Sequence, residues 1–171
     1  RKTVAMQDRR HIDEFVELVQ THQDIIHKVG FVYSRVPADR DDLAQEILLQ
    51  LWRSYESFDG RSAFSTWMYR VALNTAISFR RKQKSTSNEA AEPWAEATQF
   101  AQAELSDELK TLYRAIARLS PVEKAIIMQW LDERSYEEIA DTVGISVKNV
   151  SVRLVRIRER LARLIKEAEQ S

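Results

Sequence analysis

The chain has no cysteine, only three glycines and three prolines, and no long apolar run. The lack of cysteine excludes disulfides, thiolate nucleophiles and cysteine-ligated zinc. Sheet-rich folds need turn residues at short intervals, and phosphate-binding loops need several glycines together, whereas Gly30, Gly60 and Gly144 lie far apart. No segment approaches the roughly 20 apolar residues that cross a bilayer. We therefore expect a soluble, predominantly helical protein.

The net charge is zero, but the charges are unevenly distributed along the chain. The 26 Lys and Arg residues balance the 26 Asp and Glu residues over 171 positions. Residues 61–84 hold six bases and no acid, residues 85–108 hold six acids and no base, and residues 147–171 hold seven bases against three acids. This distribution predicts two modules with basic ends, separated by an acidic segment, and basic ends of this kind are typical of nucleic-acid binding.

Apolar residues at three- and four-residue steps predict the helices of the first module. The pattern over residues 12–32 indicates one bent helix or two. A further helix is expected to begin near Pro37, with Asp39 as its cap, and to continue to Phe58. The next helix is expected over residues 63–84, where the basic residues lie.

The second module is expected to begin with an apolar stripe formed by Leu105, Leu109, Leu112, Ile116 and Leu119. Ser120 then combines with Pro121 and Glu123 in the pattern of a capping box that starts a new helix. Ser135 and Glu138 repeat the same pattern fifteen residues later.

A helix-turn-helix is predicted after Ser135. Its first helix needs a small residue at the helix crossing, and its turn needs a residue that tolerates positive φ, which Ala140 and Gly144 supply. Ser146 would cap the second helix, from Val147 to about Ala168. The inward face of that helix is expected to consist of Val147, Val150, Leu154, Ile157 and Leu161.

The outward face of the last helix suits a DNA major groove. Asparagine pairs with adenine, lysine with guanine or phosphate, and valine with thymine methyl groups. The face comprises Lys148, Asn149, Ser151, Val152, Arg153, Val155 and Arg156, with Arg158 and Arg160 extending its basic flank. The alternative is that these arginines only keep an exposed helix soluble.

Specific motifs in both modules match a known family pattern. In the first module they are DDLAQEILLQLW at 41–52, FDGRSAFSTWMYRVALN at 58–74 and RRK at 80–82. In the second they are LSPVE at 119–123, SYEEIA at 135–140 and GISV at 144–147. Through these motifs both modules resemble the extracytoplasmic-function (ECF) sigma factors of the sigma-70 superfamily, with Met68 and Val71 as mild departures from the Leu and Ile of the family pattern.

The resemblance implies three parts: a region 2-like domain at 10–84, a flexible acidic linker at 85–104 and a region 4-like helix-turn-helix domain at 105–168. The first domain would bind the clamp helices of the largest subunit of core RNA polymerase and recognise and melt the minus-10 element. The polymerase-binding residues would be Asp42, Gln45, Glu46 and Leu49. The minus-10 residues would be Arg61, Ser62, Phe64, Trp67, Arg70, Asn74, Ser78 and Arg81. The second domain would read the minus-35 element through Lys148, Asn149, Ser151, Val152, Arg153, Val155 and Arg156.

The resemblance also implies the partners: core RNA polymerase, promoter DNA and an anti-sigma factor, in the cytoplasm and without membrane insertion. We expect no catalytic residue and no cofactor. We expect no metal either, because Asp24 and His27 form only half of a bundle di-metal motif. The alternative is a helix-turn-helix regulator that never joins polymerase, with residues 12–84 as a sensing or dimerising bundle.

Overall fold

The computed structural model describes residues 2–34, 36–86 and 106–171, and every regular element in those ranges is helical. The first module contains α1 (Lys2–Thr21), α2 (Gln23–Tyr33), α3 (Pro37–Ser54), a short 3-10 helix (Tyr55–Ser57) and α4 (Phe64–Thr86). The second module contains α5 (Asp107–Ala117), α6 (Pro121–Leu131), α7 (Tyr136–Val143) and α8 (Val147–Glu169). The all-α fold class is therefore confirmed. The helix α4 extends to Thr86, two residues into the predicted linker, and the rest of that linker lies outside the described residues.

The first module buries the apolar face of α3 between α2 and α4. Leu43, Ile47 and Leu51 are fully buried at spacings of four, as expected for one face of a helix. They pack with Val29 of α2 and Met68 of α4 in the same apolar cluster. This core holds the first half of α4 in place and leaves the opposite face of the helix outward.

Three predicted details of the first module are resolved or corrected. The segment after residue 12 forms two helices rather than one, with the break at His22. Asp39 is not the cap of α3, because Pro37 begins that helix: its fixed φ and missing N–H suit the first helical position. Asp39 lies in the first turn, where its carboxylate favours the positive end of the helix dipole. The helix α3 also ends at Ser54, short of Phe58.

The second module follows the predicted capping pattern. Ser120 Oγ accepts from the backbone N–H of Glu123 at 3.3 Å, and Glu123 Oε2 accepts from the backbone N–H of Ser120 at 2.9 Å, so the capping box is complete. The predicted stripe on α5 is only partly inward: Ile116 and Leu119 are buried, whereas Leu109 in the first turn is exposed. Leu105 lies outside the described residues.

The two modules pack against each other in this structure. The ring of Phe31, at the end of α2, meets the ring of Tyr113 of α5 edge-on at 5.4 Å between centroids. Tyr33 and Lys124 form a second contact, with the ammonium group 5.2 Å from the ring centroid. Among the described residues there is no helix long and apolar enough to span a membrane.

Candidate nucleic-acid and polymerase interfaces

The α7–turn–α8 unit has the predicted helix-turn-helix geometry. Gly144 ends α7 in the left-handed region at φ 78°, and its N–H donates to the carbonyl of Ala140 at 2.9 Å. Ser146 then caps α8, because its Oγ accepts from the backbone N–H of Asn149 at 3.1 Å. At the start of α7, Ser135 Oγ accepts from Glu138 N–H at 3.1 Å, while the Glu138 carboxylate lies 3.9 Å from Arg134 rather than completing a second capping box.

The outward face of α8 is fully accessible. Val150, Leu154, Ile157 and Leu161 are buried against α5, α6 and α7, which orients the rest of the helix outward. All seven predicted minus-35 residues are exposed: Lys148, Asn149, Ser151, Val152, Arg153, Val155 and Arg156. A basic, mixed-polarity helix face of this kind can hydrogen-bond base edges and contact phosphates.

Three residues of α8 depart from the predicted pattern. Val147 is 40% exposed rather than inward, although Val150, three residues later, is fully buried. The guanidinium of Arg158 lies 4.9 Å from the ring centroid of Trp130. Arg160 donates to Glu123 Oε2 at 3.1 Å and so ties α8 to the start of α6. Arg158 and Arg160 are both exposed and also make contacts within the second module, and their contacts to phosphates stay a prediction.

On the first module, α4 begins at Phe64 and carries five further predicted minus-10 residues at spacings of three and four. In order they are Trp67, Arg70, Asn74, Ser78 and Arg81. These spacings place them on one helix face, over about 21 Å at 1.5 Å per residue. Exposure rises along this face: Trp67 is buried, Arg70 is half-buried, and Asn74, Ser78 and Arg81 are exposed.

Two predicted minus-10 aromatics belong to the core. Phe64 and Trp67 are 5.4 Å apart between ring centroids, and both also contact Tyr55 and Phe58. Both are more than nine-tenths buried. In this arrangement the two rings pack in the core at the start of α4, and they are not free to stack on a DNA base.

The loop before α4 presents the remaining two minus-10 candidates. Gly60 adopts φ 75°, which a residue with a Cβ adopts only with strain. Asp59 accepts from the backbone N–H of Arg61 at 3.0 Å and pairs with its guanidinium at 2.9 Å. Arg61 is strongly exposed, and Ser62 is half-buried beside it. The loop therefore holds one accessible cation next to the start of α4.

The predicted polymerase-binding residues share the outward side of α3. Asp42, Gln45 and Leu49 are exposed, and Glu46 is half-buried. Glu46 accepts from Gln50 Nε2 at 3.0 Å, which orients its carboxylate along the helix. This mixed acidic and apolar face is suited to a protein partner with basic and apolar groups.

A groove of about 620 Å³ connects this α3 face with the α4 face. Its lining includes Glu46 and Gln50 of α3 and Asn74, Ser78 and Lys82 of α4. Gln50 and Lys82 were not among the predicted site residues. Helical spacing could have identified Lys82 as a site residue, because it lies eight residues after Asn74 and four after Ser78, on the same helix face.

Asp24, which belongs to the half di-metal motif, forms an ion pair with a lysine. Asp24 lies 3.4 Å from Lys28 Nζ, as an ion pair one helical turn apart. In the described part of the chain no group of three or more His, Asp or Glu side chains is arranged to hold a metal ion.

These features define a helical protein with a DNA-reading helix-turn-helix in one module and a polar, partly basic helix face in the other. Comparison with protein families gives matches to both modules. Residues 18–86 match Sigma-70 region 2, and residues 109–161 match Sigma-70, region 4.

Comparison with individual proteins agrees. The chain is 36% identical over 149 residues to the ECF RNA polymerase sigma-E factor of Escherichia coli (strain K12), covering 78% of each chain. It is 32% identical over 155 residues to the ECF RNA polymerase sigma factor SigM of Mycobacterium tuberculosis (strain ATCC 35801 / TMC 107 / Erdman), covering 88% of this chain and 76% of SigM.

Two solved structures have the same fold. One is the sigma factor RpoE in complex with the anti-sigma factor NepR from Bartonella quintana, with 25% identity and a TM-score of 0.72 over 90% of this chain and 97% of RpoE. The other is CnrH in complex with the cytosolic domain of CnrY, with 23% identity and a TM-score of 0.65 over 90% of this chain and 88% of CnrH. This chain belongs to the ECF sigma factors of the sigma-70 family.

Proposed function

We propose that the two modules of this sigma factor have different functions. Residues 10–84 bind core polymerase and recognise and melt the minus-10 element, and residues 105–168 recognise the minus-35 element. The observation that carries the proposal is that Asn74, Lys148 and Asn149 are all exposed, on two modules of one chain. Had these side chains been buried, no nucleotide could reach them. The two matched regions lie in the same order as the two modules.

The proposed polymerase contact is the outward side of α3, through Asp42, Gln45, Glu46 and Leu49. A carboxylate-bearing face with an exposed leucine gains affinity from burial of the apolar side chain and gains orientation from its charges. The arrangement of α3 against α4 brings this contact to one edge of the groove that Asn74 and Ser78 line. Polymerase docking would therefore place the minus-10 residues of α4 beside the polymerase surface.

The proposed minus-10 contact is the accessible part of α4 with its preceding loop. Arg61, Arg70 and Arg81 supply cations for the backbone, and Asn74 and Ser78 supply hydrogen-bonding groups for an unpaired base. Phe64 and Trp67 support this surface from below. The proposed minus-35 contact is the exposed face of α8, from Lys148 to Arg156.

We further propose that the protein is a specificity factor rather than a catalyst, that it works in the cytoplasm, and that an anti-sigma factor holds it inactive. The support for the last point is the likeness to RpoE, which was solved with the anti-sigma factor NepR.

Retention of purified core polymerase on the tagged protein tests the proposed polymerase contact. Leu49→Ala should reduce retention severalfold, whereas Leu109→Ala should not; the two leucines are 40% and 42% exposed and lie on different modules. Equal retention by both variants would remove α3 from the interface. If the unmodified protein retained no polymerase, it would behave as the alternative helix-turn-helix regulator.

A further inference from the structure

The contact between the modules includes an ionic cluster centred on two carboxylates of the second module. Asp132, in the turn after α6, accepts from Lys28 Nζ at 2.9 Å and from the phenolic O–H of Tyr69. Asp141 of α7 pairs with the guanidinium of Arg70. In the pairs formed by these two carboxylates, the first module provides the donors and the second module provides the anionic oxygens.

A third residue of the second module extends this contact. Arg134 donates to Thr66 Oγ1 at 3.0 Å, and its guanidinium lies 5.4 Å from the ring centroid of Tyr69. Tyr69 is therefore held from two sides, by Asp132 at its oxygen and by Arg134 at its ring. We call Lys28, Tyr69 and Arg70 the donor surface, and Asp132 and Asp141 the carboxylate pair.

The donor surface overlaps the proposed minus-10 contact. Arg70 lies on the same face of α4 as Asn74, one turn away, and α7 covers it through Asp141. A DNA strand that reached Arg70 would need the space that Asp141 occupies. Closure of the two modules and binding of a DNA phosphate by the same terminal nitrogen of Arg70 are therefore in competition.

The guanidinium of Arg70 is only partly hydrogen-bonded in the closed arrangement. Within the described part of the chain, its buried Nε has no hydrogen-bond acceptor, while its terminal nitrogen donates to Asp141. A guanidinium binds most favourably to two anionic oxygens at once, and a phosphate supplies them. The carboxylate of Asp141 thus satisfies only part of a group that a phosphate would satisfy more completely.

We propose that the carboxylate pair takes the place of DNA backbone phosphates on the donor surface, so that the free protein competes with promoter DNA for its own minus-10 module. The inference rests on the proposed function of Arg70. Asp141 is largely exposed, and ion pairs of this kind stabilise a contact only weakly. The Arg70–Asp141 pair therefore breaks readily, and partners that separate the modules release the donor surface.

Energy transfer between dyes on the two modules tests closure. The chain has no cysteine, so Glu56→Cys in the first module and Glu169→Cys in the second introduce two labelling positions. The combined variant Asp132→Asn and Asp141→Asn should lower the transfer efficiency of the free, full-length protein. It should also bind a fluorescein-labelled DNA duplex with an unpaired bubble about fivefold more tightly in the absence of polymerase, if the open form is initially a minority.

The matched control is Glu159→Gln with Glu167→Gln. It also removes two negative charges, but from exposed positions on α8 that lie outside the contact between the modules. Circular dichroism measures whether each variant keeps its helical content. The single variant Asp141→Asn tests the Arg70 pair without changing a buried group.

Reduced transfer together with tighter binding than the control supports the proposal. Unchanged transfer overturns the role of the carboxylate pair in closure, and reduced transfer with binding equal to the control overturns the competition with DNA. Promoter-dependent transcription with core polymerase is measured in parallel on the unmodified protein. Its failure would count against the proposed function, whereas either of the two negative outcomes above, with transcription intact, would count only against this further inference.

Discussion

The phenolic O–H of Tyr33 donates a 2.6 Å hydrogen bond to the backbone carbonyl of Pro121. Tyr33 is the last residue of α2, and Pro121 is the first residue of α6, so the bond joins the two modules. Burial raises the pKa of Tyr33 well above its ordinary value, because the phenolate would lose its hydration. The contact therefore requires the neutral phenol.

Tyr33→Phe should lower the free energy of unfolding by about 1 kcal/mol, because the hydrogen bond is lost while the ring remains packed. Urea unfolding followed by circular dichroism measures the change. Tyr136→Phe, at an exposed position, is the control and should leave the midpoint unchanged. Equal midpoints for all three proteins would show that the Tyr33 bond does not stabilise the fold.

Stability should fall at alkaline pH. Burial raises the pKa of Tyr69 above its ordinary range, and its hydrogen bond to Asp132 and the charges of Asp132 and Asp24 add to this, while Arg134 opposes it. Burial alone would lower the pKa of Lys28, but Asp132 and Asp24 outweigh it and raise that pKa. Groups with raised pKa values keep their protons in the folded chain above pH ~10, where the unfolded chain loses them, so unfolding becomes easier as pH rises.

This pH dependence is measured by urea unfolding at about pH 8 and about pH 10.5, on either side of the ordinary tyrosine pKa. The unmodified protein should lose more stability between the two than the combined variant Tyr33→Phe and Tyr69→Phe. An equal loss in both proteins would assign the alkaline effect to other groups.

Asn149→Ala should weaken binding to minus-35 DNA by about 1–3 kcal/mol, since it removes a side chain able to pair with adenine. Lys148→Ala should weaken binding too, and if its contact is a phosphate the salt slope falls by about one. Fluorescence anisotropy of the polymerase-bound protein on an upstream promoter fragment measures both effects. Lys166→Ala, at the far end of α8, is the control and should leave affinity unchanged; polymerase retention should be the same for all variants.

Asn74→Ala should impair strand opening while sparing binding to duplex DNA. Loss of one hydrogen bond to an unpaired base costs about 1 kcal/mol, or roughly a fivefold loss of open complex. Permanganate reactivity of unpaired thymines measures opening, and Gln23→Ala, an exposed amide on α2, is the matched control. Normal reactivity in the Asn74→Ala variant would exclude this side chain from melting.

The local features of the fold could be predicted from the sequence because neighbouring residues determine them. The Ser120 capping box and the left-handed Gly144 depend on contacts within a few residues, and the inward face through Val150 and Leu154 follows from helical periodicity. The exposure of Val147 could not be predicted this way, because helical spacing assigns it to the same face as Val150 and only tertiary packing distinguishes the two.

The contact between the modules was also missed, for a related reason. Asp132 binds Lys28 across 104 residues and Tyr69 across 63, and nothing in the local pattern distinguishes this aspartate from the other acidic residues. Likewise, Phe64 fits an aromatic DNA-binding pattern, yet tertiary packing buries it.

Transcription from a supercoiled promoter template with purified core polymerase and no other specificity factor tests the central claim most directly. The template is one selected from genomic fragments that the polymerase-bound protein retains. Full-length transcripts should appear only when this protein is added and should fall severalfold with Asn74→Ala or Asn149→Ala. Transcripts that are independent of the added protein, or unchanged by both variants, would contradict the claim that these two surfaces direct initiation.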